Sequence, residues 1–298
     1  MTTDKSVMKV LVTGVTALIG RALVKDMIAD GYQVTVLTRQ SLQSQESLRF
    51  IQNLYEVPSD LDAVVNLAGA GLADKRWSTK YKQQILDSRI ALTRGLIDQL
   101  LITGMPKVFV SGSAIGFYGA DDHASFVEAD TAGTGFSAQL CVDWESEARR
   151  AESEGTRLVL LRTGVVLDSQ GGAFPQMTQS FRLGVSSWMG QGCHWLSWIH
   201  IDDMVSAIRF CLEDERIRGP VNMTAPEPAT HRALADAVAR RKLTLLKLGM
   251  PAPVMRLVLG EMADELLLTG QRVLPKALTS SGFTYRYPDI DSAVGALI

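Results

Sequence analysis

The stretch "KVLVTGVTALIGRAL", residues 9 to 23, narrows the fold of this chain more than any other segment. A run of valines and leucines ends at Gly14; Gly20 follows six residues later, and the apolar positions Ile19, Leu23 and Ile28 then fall near helical spacing until Gly31 ends the run. An apolar run without polar alternation is what a parallel strand buried on both faces requires. Where such a strand turns tightly into a helix, backbone N–H groups and the helix N-terminus can face a pyrophosphate and supply partial positive charge without a side chain. A glycine spacing alone has little specificity; its position at the first strand-to-helix turn gives it meaning. Gly14, Thr16, Ala17, Leu18, Ile19 and Gly20 are therefore candidate phosphate-loop residues. Val15 and Ala17 stand where glycine is often found, and since alanine adds only a methyl group, phosphate approach stays open but tighter.

The same rhythm continues. "YQVTVLT", "DAVVNLAGA" (62–70), "PKVFVSGSA" (106–114) and "TRLVLLRTGVVL" (156–167) read as strands. Between them, residues 78–101 carry Leu86, Ile90, Thr93, Ile97 and Leu100 at helical steps, and "FSAQLCVDWESEARRAES" reads as a further helix. Alternating strands and helices predict an α/β fold, a doubly wound parallel sheet of the Rossmann type. After about residue 168 the connections become glycine-rich and aromatic, and from Arg240 the chain reads as mostly helical, punctuated by Pro251, Pro253 and Pro275. The expected division is a nucleotide-binding domain over 8–167, with returning strand and helix segments up to about 235, and a smaller, mostly helical cap region over about 168–298. Ligands in such folds bind at the carboxyl ends of the strands, where a cap encloses them. The cap should pack on the first domain, because its leucines and methionines would otherwise expose a large apolar patch.

With 298 residues, 46% of them apolar, the chain can bury a large core; its 30 lysines and arginines against 32 acids provide no basic field for nucleic acid and no polybasic arm for a membrane. A small-molecule substrate is the expected partner, and a homodimer is an open assembly. Cys141, Cys193 and Cys211 lie far apart with no CxxC pair, as buried thiols in a reducing compartment would. The histidines at 123, 194, 200 and 231 have no metal-ligand spacing, so no metal is expected. No apolar run of signal-peptide length precedes the first strand and none approaches ~20 residues later, so the expected location is cytoplasmic.

The second strand closes with "VTVLTRQ", residues 34–40. An NAD-binding chain typically offers an acid there to the adenosine ribose. This chain offers Thr38 and Arg39. A carboxylate would repel a 2′-phosphate, whereas a guanidinium binds it through paired, charge-assisted hydrogen bonds. Arg39 thus points to NADP(H); the plainer alternative is a solvated arginine at a strand end.

Taken in order, "TGVTALIGR", "LTR", "NLAG", "DKRW", "SR" at 88–89, "SGSAIGFYG", "LRTGVVL", "WIHIDDM", "GPVNMTAPEP" and "GQRVLPK" resemble the extended short-chain dehydrogenase/reductase superfamily. Within it they are most similar to an atypical, sugar-nucleotide-epimerase-like family with its own C-terminal domain, along essentially the whole chain. The resemblance implies that Thr38 and Arg39 hold the adenosine phosphate end and that Leu67, Ala68 and Gly69 of "NLAG" lie beside the adenine and ribose. It further implies that Arg89 and Gln84 on the long helix reach the cofactor, with Val166 nearby. Arg89 can equally be an ordinary surface or core-capping arginine, since it flanks the apolar stripe.

Superfamily members that move a hydride pair a Ser or Thr at the end of the fifth strand with a Tyr and Lys at YxxxK spacing on the next helix. Ser113 fills the first position; "GFSAQLCVDWE" contains neither Tyr nor Lys and offers Phe136, Ser137, Gln139 and Leu140. Tyr118 and His200 are then the candidate proton carriers, although the first could simply pack in a turn and the second be a hydrogen-bonded strand histidine. One of Asp202 and Asp203 is expected to cap a helix. Trp188, Trp195 and Trp198 crowd one region and could line a pocket or merely pack. Two functions remain open: an NADP-dependent oxidoreductase or epimerase acting on a small, sugar-like molecule, and a non-catalytic NADPH-binding sensor or scaffold.

Overall fold

Seven parallel strands make the central sheet of the computed structural model, which describes residues 7–298. They are β1 (Lys9–Thr13), β2 (Gln33–Leu37), β3 (Leu48–Ile51), β4 (Ala63–Asn66), β5 (Val108–Ala114), β6 (Arg157–Thr163) and β7 (Gly219–Met223). Their order is β7-β6-β5-β4-β1-β2-β3. This is the doubly wound Rossmann arrangement, and its direction of winding reverses between β1 and β4. The connections leaving those two strands diverge to opposite sides and open a crevice at their carboxyl ends.

Strand alternation divides the apolar residues between two layers. Val10, Val12, Val34, Val36, Val65, Val110 and Leu161 pack with helix α1 (Leu18–Ala29) and the later helix Ile201–Glu213. Leu11, Val64, Phe109, Leu158 and Leu160 pack against Leu96, Ile97 and Leu100 on the opposite face. A sheet buried on both sides has no polar alternation to show, which explains the unbroken apolar runs in its strands.

Helix α2 comprises Thr79–Leu86 and Leu92–Thr103, joined through a π-turn at Asp87–Ala91. Its buried face runs through Tyr81, Ile85, Arg89, Thr93, Ile97 and Leu100, while Leu86 and Ile90 are only half-buried. Arg89 therefore lies on the inner stripe and not at its flank. Helix α3 (Phe136–Ala148) follows β5 and packs across the same layer.

The short edge strand β3 carries too little alternation to be legible in the sequence. "TRLVLLRTGVVL" does not continue as one strand: it breaks at Gly164, where a Cβ would stand 2.5 Å from the Ser197 carbonyl oxygen. Val165–Asp168 then leaves the main sheet to pair with Trp198–His200. In the C-terminal region, helices Ala252–Leu259, Glu261–Leu266, Lys276–Ser280 and Ile290–Leu297 are accompanied by two short strands. One of these, Leu246–Met250, pairs with Val185–Met189, and the other, Gln271–Val273, with Asp121–Phe126. This region docks through Met262, Leu259 and Leu266, which pack on Trp77, Tyr81, Ile85, Phe136 and Leu140 of the first unit.

Cys141 and Cys211 are buried, whereas Cys193 is exposed, contrary to the expectation of three buried thiols. Among the described residues no helix is long and apolar enough to cross a membrane.

Candidate functional site

The turn after β1 holds Gly14 at φ +77°, where a Cβ would stand 2.5 Å from the Leu67 carbonyl carbon and oxygen. Only glycine lets this turn approach the loop after β4 so closely. At Gly20 a Cβ would meet the Gly14 carbonyl oxygen at 2.6 Å, so the first turn of α1 also closes on bare backbone. No side chain caps the start of α1 and no acid stands in its first turn. Its leading amides keep both their hydrogen-bonding capacity and their share of positive helix dipole.

A chain of buried hydrogen bonds fixes the facing loop. Trp144 Nε1 and Asn66 Nδ2 both donate to Thr93 Oγ1, at 3.0 and 2.8 Å. Thr13 Oγ1 donates to Asn66 Oδ1 at 2.7 Å and accepts from the Ala68 amide at 3.1 Å. Four elements, β1, β4, α2 and α3, are thereby locked to the backbone of "NLAG".

Two recesses open from this point. The outer cleft, about 1300 Å³, is lined by Gly14, Thr16, Ala17, Thr38, Arg39, Ala68, Gly69 and Gln84. The inner cavity, about 300 Å³, shares Gly14 and Ala17 with it and continues past Ile19, Gly20, Leu67 and Arg89 to Ser113. Thr38 is buried, its hydroxyl accepting from the Gln40 amide at 3.2 Å. Arg39 is exposed at the cleft wall and has no acidic partner among the described residues.

Arg89 is only 9% exposed, and its guanidinium donates to the Ile85 carbonyl at 3.3 Å, lies 5.3 Å from the Trp144 ring and would be 2.7 Å from a Cβ on Gly69. No carboxylate pairs with it among the described residues, and burial lowers its pKa. A buried cation on the cavity wall without an acid leaves an electrostatic demand that an anionic or polar ligand satisfies.

Ser113 lies on the inner cavity wall, 4% exposed, and donates to Glu145 Oε1 at 2.7 Å. Glu145, on α3, also accepts from Arg162 Nε at 2.9 Å and Nη2 at 3.0 Å. Arg162, on β6, reaches further to the Tyr118 hydroxyl at 3.0 Å and stacks 3.4 Å from the Phe117 ring centroid. The serine hydroxyl is thus oriented by a charge-balanced, bidentate pair almost wholly inside the protein. Glu145 and Arg162 are absent from the sequence reading, although a charge within "LVLLRT" and a glutamate in line with Cys141 and Ala148 on the buried face of α3 were the available signals.

The two expected proton carriers are elsewhere. Tyr118 lines neither recess: its hydroxyl donates to Asn222 Oδ1 at 2.7 Å, and burial pushes its pKa up. It supports Arg162 and does not face a ligand. His200 also lines neither recess. Its Nδ1 accepts from the Asp202 amide at 3.1 Å, which makes the histidine itself the cap of Ile201–Glu213, and burial lowers its pKa. Asp203 caps nothing at that helix end; its carboxylate accepts from the amides of Arg286 and Tyr287. Leu18 packs toward Gly171 and Gly172, and Val166 packs into the main core, so neither reaches a recess; Val165 lines the cavity in its neighbour's place. Of the three tryptophans, only Trp195 reaches the inner cavity.

Three titratable groups that sequence reasoning missed do line it. Cys141 lies on α3 with its thiol pushed by burial up to about 11. His231 is 4% exposed, and burial first, then the neighbouring His194, hold its imidazole down at about 4. Glu265 comes from the C-terminal region, its two oxygens accepting from the Phe136 and Ser137 amides at 3.2 Å each.

A family model described as the NAD dependent epimerase/dehydratase family matches residues 10–223, and one described as a domain of unknown function (DUF1731) matches residues 250–297. An epimerase family protein of Mycobacterium bovis is 38% identical over 290 residues, covering 96% of each chain. The crystal structure of human epimerase family protein SDR39U1 with NADPH superposes with a TM-score of 0.88 at 30% identity, covering 97% of this chain and 99% of that one. UDP-glucuronic acid 4-epimerase from Bacillus cereus, solved with UDP-glucuronic acid and NAD, shares the fold at a TM-score of 0.78 and 18% identity over 97% of both chains.

Proposed function

We infer, for a chain that belongs to the NAD dependent epimerase/dehydratase family, that the outer cleft binds NADPH and that the inner cavity holds a small molecule for hydride chemistry. One observation carries the reading: the two recesses meet at Gly14 and Ala17, so a ligand laid along the first runs into the second. The residues fit a dinucleotide phosphate. Uncapped α1 amides and a glycine turn suit the pyrophosphate, Arg39 and Thr38 suit an adenosine 2′-phosphate, and buried Arg89 suits the part of the cofactor that passes from cleft to cavity. The solved relative with NADPH supports the same preference.

The cofactor supplies the acceptor or donor of a hydride when bound. The chain supplies position. Because the Ser113 hydroxyl donates its hydrogen bond to Glu145, its oxygen is left to the cavity as an acceptor and holds a substrate hydroxyl in place. Trp195, Leu140 and Leu196 make the walls apolar and exclude water. Phe136 stands where the superfamily places its tyrosine, and His231, held down at about 4, lines the cavity as a neutral imidazole that can hydrogen-bond a substrate without serving as its acid at pH 7. A reducing cytoplasm belongs to this reading, in keeping with three free thiols. Phe136 and Leu140, where the superfamily places its tyrosine and lysine, favour the second reading, a binding protein without turnover.

Titration of NADPH and NADH into wild type and Arg39→Ala tests the cofactor. NADPH is expected to bind more tightly than NADH, and the substitution to remove most of the difference, about 1.5 to 3 kcal/mol for a charge-assisted contact. Equal wild-type affinities would sink the assignment.

A further inference from the structure

The polar groups on the inner cavity wall are unevenly committed. Three of its hydroxyls are already used on backbone carbonyls: Thr163 donates to Leu161, Ser197 to Gln271 and Thr269 to Asp264. Ser113 donates its hydrogen bond to Glu145, which leaves its lone pairs as acceptors on the cavity wall. Glu265 spends one lone pair of each oxygen on the Phe136 and Ser137 amides and keeps the others. Among the described residues the Ser137 hydroxyl, whose own amide bonds Glu265, and His231 Nδ1 are buried with no partner, and each residue can accept or donate one bond. The cavity therefore offers a ligand mainly acceptors. Among the described residues its single lining cation is Arg89, packed against Gly69 of the outer cleft, and its single lining carboxylate is Glu265.

We propose that the inner cavity takes a small hydrogen-bond donor, a hydroxyl- or amine-bearing molecule without phosphate or carboxylate, and that Glu265 sets this selectivity. The proposal rests on the reading of the outer cleft as the NADPH site and adds the substrate class. An anion brings acceptors to acceptors and a negative charge to Glu265. A nucleoside diphosphate sugar brings two phosphates to a wall with no cation left for them, and needs more room than about 300 Å³ shared with the nicotinamide end. Glu265 reaches the site from the C-terminal region, so that region acts as the selector of the pocket that the Rossmann unit begins.

The test uses three probes of one shape: cyclohexanol, cyclohexylamine and cyclohexanecarboxylate, with UDP-glucose as a fourth. Each is titrated by ligand-observed NMR against the full chain, with and without NADPH, after NADPH affinity has been measured separately. The alcohol and amine are expected to bind, the carboxylate to bind about tenfold more weakly, as one opposed and partly screened charge implies, and UDP-glucose to show no binding up to ~1 mM. Glu265→Gln should erase the penalty on the carboxylate. A carboxylate that binds as well as the alcohol, no binding of any cyclohexyl probe, tight UDP-glucose binding, or an unchanged ranking in Glu265→Gln each overturns the proposal. The wild-type ranking decides alone should the variant fail to fold. Failure of NADPH to bind, with the ranking intact, sinks the cofactor reading and leaves the cavity assignment standing.

Discussion

The outer cleft begins at a turn of bare backbone and the inner cavity ends at a serine held by a buried ion pair, although they share Gly14 and Ala17. At the turn where the cleft begins, closeness is achieved by the absence of a Cβ at Gly14, and charge by uncapped amides at the start of α1. In the cavity, Ser113 and Glu265 line the wall, and Glu145 and Arg162 stand behind the serine, so β5, α3, β6 and the C-terminal region all take part. A site made of backbone depends on conformation and resists most side-chain changes. One made of buried charges depends on every partner at once, because each removal strands another. The two recesses should therefore fail in different ways.

The largest effect is expected at Arg162. Replacing it with Met leaves buried Glu145 with Ser113 as its one hydrogen-bond donor and the half-exposed Arg149, 4.0 Å away, as its remaining cation, and removes the donor that the Tyr118 hydroxyl accepts from. Loss of one member of such a pair costs about 3–5 kcal/mol, to be read as a lower urea midpoint at unchanged slope. NADPH affinity should hardly move if the cleft is independent; a parallel collapse of binding in folded protein would break the comparison.

Gly14→Ala should show the opposite balance. The φ of +77° and the Leu67 carbonyl 2.5 Å from the added carbon predict strain of about 1–3 kcal/mol. Because the phosphate turn itself must shift, NADPH affinity should fall by about tenfold or more, a result that fluorescence titration reads directly. A variant less stable but binding normally would remove the phosphate role from this turn.

A more gradual effect is expected from pH. The His231 imidazole is held down at about 4 in the fold, against an ordinary value of 6.5. The unfolded chain thus takes up a proton on acidification before the folded one does. The stability that neutral His231 provides is complete above pH 6.5 and is lost as pH falls toward about 4, at a slope of at most about 1.4 kcal/mol per pH unit. His200, also lowered by burial, adds a slope of the same sign. Thermal unfolding from pH 7 to 4 should show a shallower decline for His231→Gln than for wild type; superimposable curves would place the histidine in water.

This division also explains what could be read in the sequence. The first strand, its glycine turn, α1 and Arg39 lie within one short stretch, so local spacing carries them, and alternation of strands and helices carries the winding of the sheet. Ser113 was legible as the end of a strand, but its partner Glu145 lies 32 residues away and Arg162 a further 17. Glu265 meets the Phe136 amide across 129 residues. No periodicity encodes such pairings, and an acid on a helix reads as a solvated one until the fold turns it inward. Tyr118 follows directly on the serine loop and yet faces Asn222 and Arg162, so adjacency in sequence is a poor guide to which wall a side chain faces.

The π-turn at Asp87–Ala91 has a consequence for how α2 tolerates change in length. In an ordinary α-helix a step of four residues overshoots a full turn by about 40°, so Tyr81, Ile85, Arg89 and Thr93 would spiral away from one face. The wide turn takes back that excess. It lets a single rod contribute Tyr81 and Ile85 to the packing under the C-terminal region and Leu96, Ile97 and Leu100 to the main sheet, with Arg89 pointing between them. Deleting one residue there would make a more regular helix and a worse protein: whichever half kept its seat, the other would be rotated out of register, and the guanidinium would leave the passage between cleft and cavity.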